Sequence, residues 1–122
     1  MKPVKQGDRQ VVNTASACFL PFPADDEAGI SNDGMSYLQL DNSRPPGEGF
    51  HLFRMEAGTT TAAHRHNCEE QWLMLEGELV DNDGTRYVPG DFVLMKQGTE
   101  HNSTTPDGCL LAVYIEKVET NL

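Results

Sequence analysis

From Gly49 to the C-terminus, short runs rich in Val, Leu, Phe, Tyr and Met alternate with Gly, Pro, Asn and Asp at intervals of about 8 to 12 residues. No stretch there sustains a 3.6-residue apolar period, so helices are not the main building material. The runs are Phe50–Glu56, Thr61–His66, Gln71–Leu75, Leu79–Val80, Thr85–Val88, Asp91–Met95, His101–Thr104 and Cys109–Lys117, and Asp81-Asn82-Asp83-Gly84 is a strong hairpin turn. Short strands in so small a chain must close on one another to protect their edges, which predicts an all-β jelly roll or small barrel. Upstream, Met35–Leu40 reads as a short strand and Asp41–Gly47 as a turn cluster. Residues 21–34 read as a loop, because Pro21-Phe22-Pro23 and the acidic Asp25-Asp26-Glu27 cannot continue an element.

At 122 residues the chain has the size of one domain with one core. The expected division is residues 1–49 as strands and loops packing on a barrel core of 50–118, with a single functional site. The hydrophobic share is 38%, and no apolar run approaches the roughly 20 residues that a membrane helix needs. The net charge of −10 repels phosphate backbones and anionic headgroups, which argues against nucleic acid and membrane surfaces as partners. Cys18, Cys68 and Cys109 are an odd number without a CxxC pair, and fit reduced thiols in a cytoplasmic protein. Thr14-Ala15-Ser16-Ala17-Cys18 resembles the small-residue end of a lipoprotein signal, but Asp8, Arg9, Gln10 and Asn13 stand where its apolar region would be.

Three of the four histidines carry the chemistry. His64 and His66 are two apart on a predicted strand, so both imidazoles leave the same face, inward in a barrel. Glu70 opens the next strand after a turn at Asn67-Cys68, in phase with Trp72 and Met74, and His101 begins another strand after Gly98-Thr99-Glu100. Taken singly, each has a plainer reading. Two strand histidines read equally as an exposed pair and His101 as a loop residue, and Glu69 competes with Glu70 until the spacing and the inward phase are weighed. Cys68 reads as a small structural cysteine and Cys109 as core. His51, Phe53, Met55, Trp72, Met74 and Tyr114 are substrate-pocket candidates, although a Met and aromatic stripe in a barrel is more often packing.

Gly58-x5-His64-x-His66-x3-Glu70-x6-Gly77 resembles the first cupin motif at every position. Gly90-x5-Lys96-Gln97-Gly98-x2-His101-x3-Thr105 resembles the second, with Lys96 in place of its proline and Thr105 in place of its asparagine. Within the RmlC-like cupins, residues from about 50 to 118 look like the cupin domain of ChrR-type anti-sigma factors and like small acetylacetone-dioxygenase-like cupins. That likeness rests on His64-Arg65-His66, Glu69-Glu70, Leu75-Glu76-Gly77-Glu78-Leu79, Tyr87-Val88-Pro89-Gly90 and Gly108-Cys109. It implies a double-stranded β-helix, the cupin jelly-roll barrel, with one divalent ion on His64, His66, Glu70 and His101. Zn or Fe(II) leads, and the mixed N/O donor set also suits Mn, Ni or Cu.

Two functions follow from the resemblance. One is a mononuclear metal-dependent, dioxygenase-like enzyme for a small enolisable or dicarbonyl compound, with Glu70 also able to accept a proton. The other is a non-catalytic module that senses a metal, an oxidant or a small ligand. The zinc-binding His-x3-Cys-x2-Cys motif of the sigma-gripping domain does not occur in this sequence, which tilts the reading toward the enzyme. A small-molecule partner and a homodimer are expected, the latter through exchanged N-terminal strands.

Overall fold

Twelve strands and no helix make up the computed structural model, which describes residues 1–122. In chain order they are β1 (Leu20–Pro21), β2 (Met35–Leu38), β3 (Gly49–Met55), β4 (His64–Arg65), β5 (Glu70–Gly77), β6 (Leu79–Asp81), β7 (Arg86–Tyr87), β8 (Phe92–Met95), β9 (Glu100–His101), β10 (Ser103–Thr104), β11 (Cys109–Ile115) and β12 (Thr120–Asn121). Six form an antiparallel sheet in the order β1-β2-β3-β11-β5-β8. The others make two three-stranded sheets, β10-β6-β7 and β12-β4-β9. The all-β expectation holds, and no helix is present that could cross a membrane.

Period-two alternation explains which side chains meet. On β5, Trp72 and Met74 are buried while Gln71, Leu73 and Leu75 are exposed, and on β3 the same alternation buries His51 and Met55. The last long strand, β11, lies between β3 and β5 and buries five of its seven residues, four of them (Cys109, Leu111, Val113 and Ile115) on one face. The core therefore gathers on one side of the large sheet: Met35, Met55, Trp72, Met74, Leu79, Tyr87, Cys109, Leu111 and Val113 form one packed cluster. Met55, Met74 and Ile115 are almost fully enclosed, each removing apolar surface worth about 1.5–3 kcal/mol from water.

Several boundaries differ from the sequence reading, each for a local reason. The run expected over Thr61–His66 is a strand only at His64–Arg65; Thr61 instead donates its N–H to the Ser103 carbonyl and so leaves ladder geometry. β1 falls where a loop was expected. It is tolerated because Pro21 sits on an edge, pairing only with Ser36 of β2, where a missing N–H costs little. β12 is polar and carries no pattern of its own; it exists because Thr120 and Asn121 pair with Arg65 and His64.

The terminal glycine of the first motif has a specific structural role. Register between β5 and β11 slips at Leu110/Leu111, a bulge that draws Gly77 onto the partner strand. Gly77 has φ +78°, and a Cβ there would collide with the Gly108 carbonyl oxygen and lie 2.8 Å from Cys109 Cα. Only glycine meets both demands.

Candidate metal centre

His64 on β4 stands directly opposite His101 on β9, with Arg65 opposite Glu100 in the next pair. Arg65 closes that pair with two bonds to one Glu100 oxygen, Nε at 2.9 Å and Nη2 at 2.7 Å, an exposed contact worth at most about 1 kcal/mol that supports the register. Beyond β4 the pairing continues through His66 N–H to Thr99 O (2.9 Å) and Gly98 N–H to His66 O (2.8 Å). This folds the Lys96–Thr99 turn back over His66. The three imidazoles thereby converge: ring centroids lie 4.6 Å apart for His64–His101, 4.9 Å for His66–His101 and 5.1 Å for His64–His66.

Two of the rings have Nδ1 hydrogen-bonded to the protein, and the third has its Nδ1 beside a carboxylate. His64 Nδ1 is 2.8 Å from the Ala62 carbonyl, and His66 Nδ1 is 2.7 Å from Thr99 Oγ1, whose own proton goes to the Lys96 carbonyl. His101 Nδ1 lies 3.1 Å from Asp81 Oδ1, close but not ideally aligned. Each partner can only accept, or has already spent its proton, so in the neutral rings Nδ1 carries the hydrogen and Nε2 presents its lone pair. The Nε2 atoms of His66 and His101 are buried without any partner. Leaving such groups unmet costs about 1–3 kcal/mol each. One ligating nitrogen from each ring lies within 4.8 Å of the other two, so a single divalent ion could satisfy all three.

Glu70 faces the same space from the start of β5, whereas Glu69 is exposed. Its Oε1 is 3.6 Å from His66 Nε2; the mutually close set is otherwise the three imidazoles. Burial, then the nearby negative charges of Glu119 and Asp81, pushes its carboxyl up to about 8. His66 is held down to about 4 by burial and by the neighbouring imidazoles of His101 and His64. A cation at this point would reverse the pressure on Glu70 and reinforce that on His66, because it favours the ionised carboxylate and the neutral rings.

Asp81 was not singled out from sequence. It is buried on β6, where its Oδ2 accepts from Tyr87 Oη at 2.7 Å and its Oδ1 from Ser103 Oγ at 2.5 Å besides facing His101. Burial raises its carboxyl, but the contacts from His101, Ser103 and Tyr87 outweigh it and leave the group below the usual carboxylate range. The available signal was alternation: Asp81 shares an inward face with Leu79. Thr99 was also missed. Thr105, where the motif departs from asparagine, is fully buried and donates to the Glu78 carbonyl at 2.7 Å, while its backbone bonds Gly58 and Thr59. It thus ties the first motif to the second.

His64, His101 and Glu70 line a cavity of about 300 Å³. Among the pocket candidates, His51, Phe53, Met55 and Trp72 line it, and Trp72 lies nearly parallel to the His101 ring at 6.4 Å. Met74 does not; it is packed behind the wall in the core. Tyr114 faces outward, 39% exposed, with its hydroxyl on Glu116, because it falls on the opposite phase of β11 from Leu111 and Val113. Of the acidic cluster, Asp26 and Glu27 are exposed, while Asp25 reaches the cavity rim and accepts from Asn121 Nδ2 at 2.8 Å. Cys68 is half-buried, its Sγ 3.5 Å from the Lys117 carbonyl.

An antiparallel barrel that gathers three histidines, with a carboxylate beside them, next to an internal cavity is a cupin. The chain belongs to the ChrR Cupin-like domain family, whose match spans residues 8–119. No curated protein matches the sequence. Among solved structures, the polyketide cyclase RemF from Streptomyces resistomycificus superposes with a TM-score of 0.69 at 19% identity, covering 93% of this chain and 85% of that one. An acetylacetone dioxygenase from Acinetobacter johnsonii gives 0.65 at 18%, covering 86% and 72%. The complex of Rhodobacter sphaeroides SigE with the anti-sigma ChrR gives 0.62 at 19%, covering 89% of this chain and 52% of that one, so this chain spans about half the length of that relative. At these identities the likeness establishes the fold.

Proposed function

We propose that this cupin holds one divalent ion on His64, His66, Glu70 and His101 and acts as a dioxygenase-like enzyme on a small enolisable or dicarbonyl compound. The observation that carries the metal is the pair of buried, partnerless Nε2 atoms on His66 and His101, with His66 Nδ1 bonded to Thr99 Oγ1 and His101 Nδ1 3.1 Å from Asp81 Oδ1. Such a pattern is costly without a cation and satisfied with one. When bound, the ion would supply a Lewis acid for a chelating oxygen pair; Zn and Fe(II) suit the donor set, as do Mn, Ni and Cu. The chain supplies orientation through Ala62, Thr99 and Asp81, exclusion of water through Phe53, Met55 and Trp72, and a proton acceptor in Glu70. The dicarbonyl reading leans on the fold neighbour named for acetylacetone, an enolisable 1,3-dicarbonyl.

A second reading, a sensing module, is favoured by the family itself, which takes its name from ChrR. An isologous homodimer and a reducing, cytoplasmic setting for the three unpaired cysteines accompany either reading. The experiment is elemental analysis of protein purified without added metal, followed by dioxygen uptake with acetylacetone. About one ion per chain and dicarbonyl-dependent uptake support the enzyme. Stoichiometric metal with no uptake for any dicarbonyl moves the function to sensing, and no bound metal refutes both.

A further inference from the structure

The polar groups around the cavity are strongly one-sided. Its charged lining residues are all acidic, Asp25, Glu70 and Glu119, and no lysine or arginine contributes to the wall. Donors are scarce as well. Asn32 commits its Nδ2 to the Pro23 carbonyl, Asn121 commits its Nδ2 to Asp25, and Ser103 commits its hydroxyl to Asp81. The lining donors without an acceptor are Trp72 Nε1–H, buried and unpartnered, and the Thr61 hydroxyl, which accepts from Ser103 N–H; the charged part of the wall offers only acceptors.

His51 extends this pattern to the end away from the ion. It is 5% exposed, and its one hydrogen bond joins Nδ1 to the Gly49 carbonyl at 3.1 Å. A carbonyl only accepts, so Nδ1 carries the proton and Nε2 is left as a lone-pair acceptor with no protein donor. The ring is fixed on β3 with Phe22 edge-on at 6.4 Å, and it lines the cavity. Register places His51 opposite Val113 and Val113 opposite Trp72, so two strand spacings, roughly 10 Å, separate His51 from the strand that carries Trp72 and Glu70. A ligand chelated at the histidine end and about one aromatic ring long can reach it.

The geometry points to a ligand class: an uncharged, largely apolar molecule with a metal-chelating oxygen pair at one end and a hydrogen-bond donor, such as a phenolic hydroxyl, at the other, accepted by His51 Nε2. Ligands with a second carboxylate or a phosphate are excluded, because they would meet Glu119 and Asp25 without a compensating cation. This assignment rests on the metal-centre reading above and deepens it.

The test uses three matched chelators on the metal-loaded full chain, namely benzohydroxamic acid and its 4-hydroxy and 4-carboxy forms, with affinities measured by calorimetry. The 4-hydroxy form should bind about three- to tenfold tighter than the parent, the gain of one neutral hydrogen bond, and the 4-carboxy form at least about tenfold weaker. His51→Leu should erase the hydroxyl advantage while leaving the parent within about twofold, and His51→Gln, which keeps an acceptor, should retain part of it. The ranking on the unaltered protein tests the charge preference even if a variant fails to fold. Equal or tighter binding of the 4-carboxy form, or a hydroxyl advantage that survives His51→Leu, overturns the assignment. Protein that carries one ion but binds none of the three overturns it while leaving the metal centre standing, whereas protein without an ion overturns both.

Discussion

Asp81 offers the sharpest perturbation of the metal centre, because its three contacts separate charge from geometry. In Asp81→Asn the Oδ1 can still accept from Ser103 and face His101, so the negative charge behind His101 is lost together with the acceptor of the Tyr87 hydroxyl, which the new amide can only donate to. Removing such support behind a ligating imidazole typically weakens metal binding about 10- to 100-fold, or about 1.4 to 2.7 kcal/mol. Asp81→Ala removes the acceptor as well and strands the Tyr87 and Ser103 hydroxyls and His101 Nδ1 in the interior. At about 1 kcal/mol or more for each group, the metal-free protein should lose about 3 kcal/mol and melt about 10 °C lower. Chelator competition reads the affinity, and a thermal melt of metal-free protein reads the stability. Asn should lower affinity with about a third of Ala's loss in the metal-free melt, and Ala should lower both in full. An Asn variant that binds metal within about twofold of the parent would show that Asp81 does not hold His101 for the ion.

Proton linkage should be visible in the metal-free chain. Glu70, pushed up to about 8, makes the folded state bind more protons than the unfolded state, so its contribution falls as pH rises from about 4.5 through 8. His66, held down to about 4, acts in the opposite direction below about 6.5. Metal-free protein should therefore lose stability from about pH 6.5 to 8, and the melting gap between metal-loaded and metal-free protein should widen over that range and close toward about pH 5, where protons compete for the imidazoles. A gap that is flat with pH refutes the linkage. Glu70→Gln should weaken metal retention on gel filtration, whereas Glu69→Gln should leave it unchanged; the reverse order would move the carboxylate ligand to Glu69. Gly77→Ala should destabilise by at least about 2 kcal/mol in urea titration, since the added methyl meets the backbone of Gly108 and Cys109. A near-neutral result would mean that the bulge can open.

Most of the barrel was legible because period-two alternation and turn residues are local signals. Gly49–Met55, Glu70–Gly77 and Cys109–Ile115 lie within a few residues of where alternation placed them. The inward phase of Glu70 relative to Glu69 was likewise readable, since it follows from Trp72 and Met74 on the same strand. What escaped depends on contacts distant in sequence. β12 is a strand only through β4, and Glu119 enters the cavity wall only because the chain returns there after its last apolar run. Asp81 was hidden by its place at a hairpin, where an aspartate ordinarily serves the turn. Tyr114 illustrates the converse: a run with apolar residues on both faces gives no phase, and its outward orientation becomes visible only once β3 and β5 flank it.

The central claim is that one ion is held by the Nε2 atoms of three histidines with a carboxylate oxygen. Extended X-ray absorption fine structure on protein loaded with one equivalent of zinc measures that shell directly. The account predicts three imidazole nitrogens and one oxygen at about 2.0–2.3 Å, with one imidazole lost in His101→Ala. A sulfur scatterer at about 2.3 Å, or an unchanged imidazole count in His101→Ala, would place the metal elsewhere in the chain.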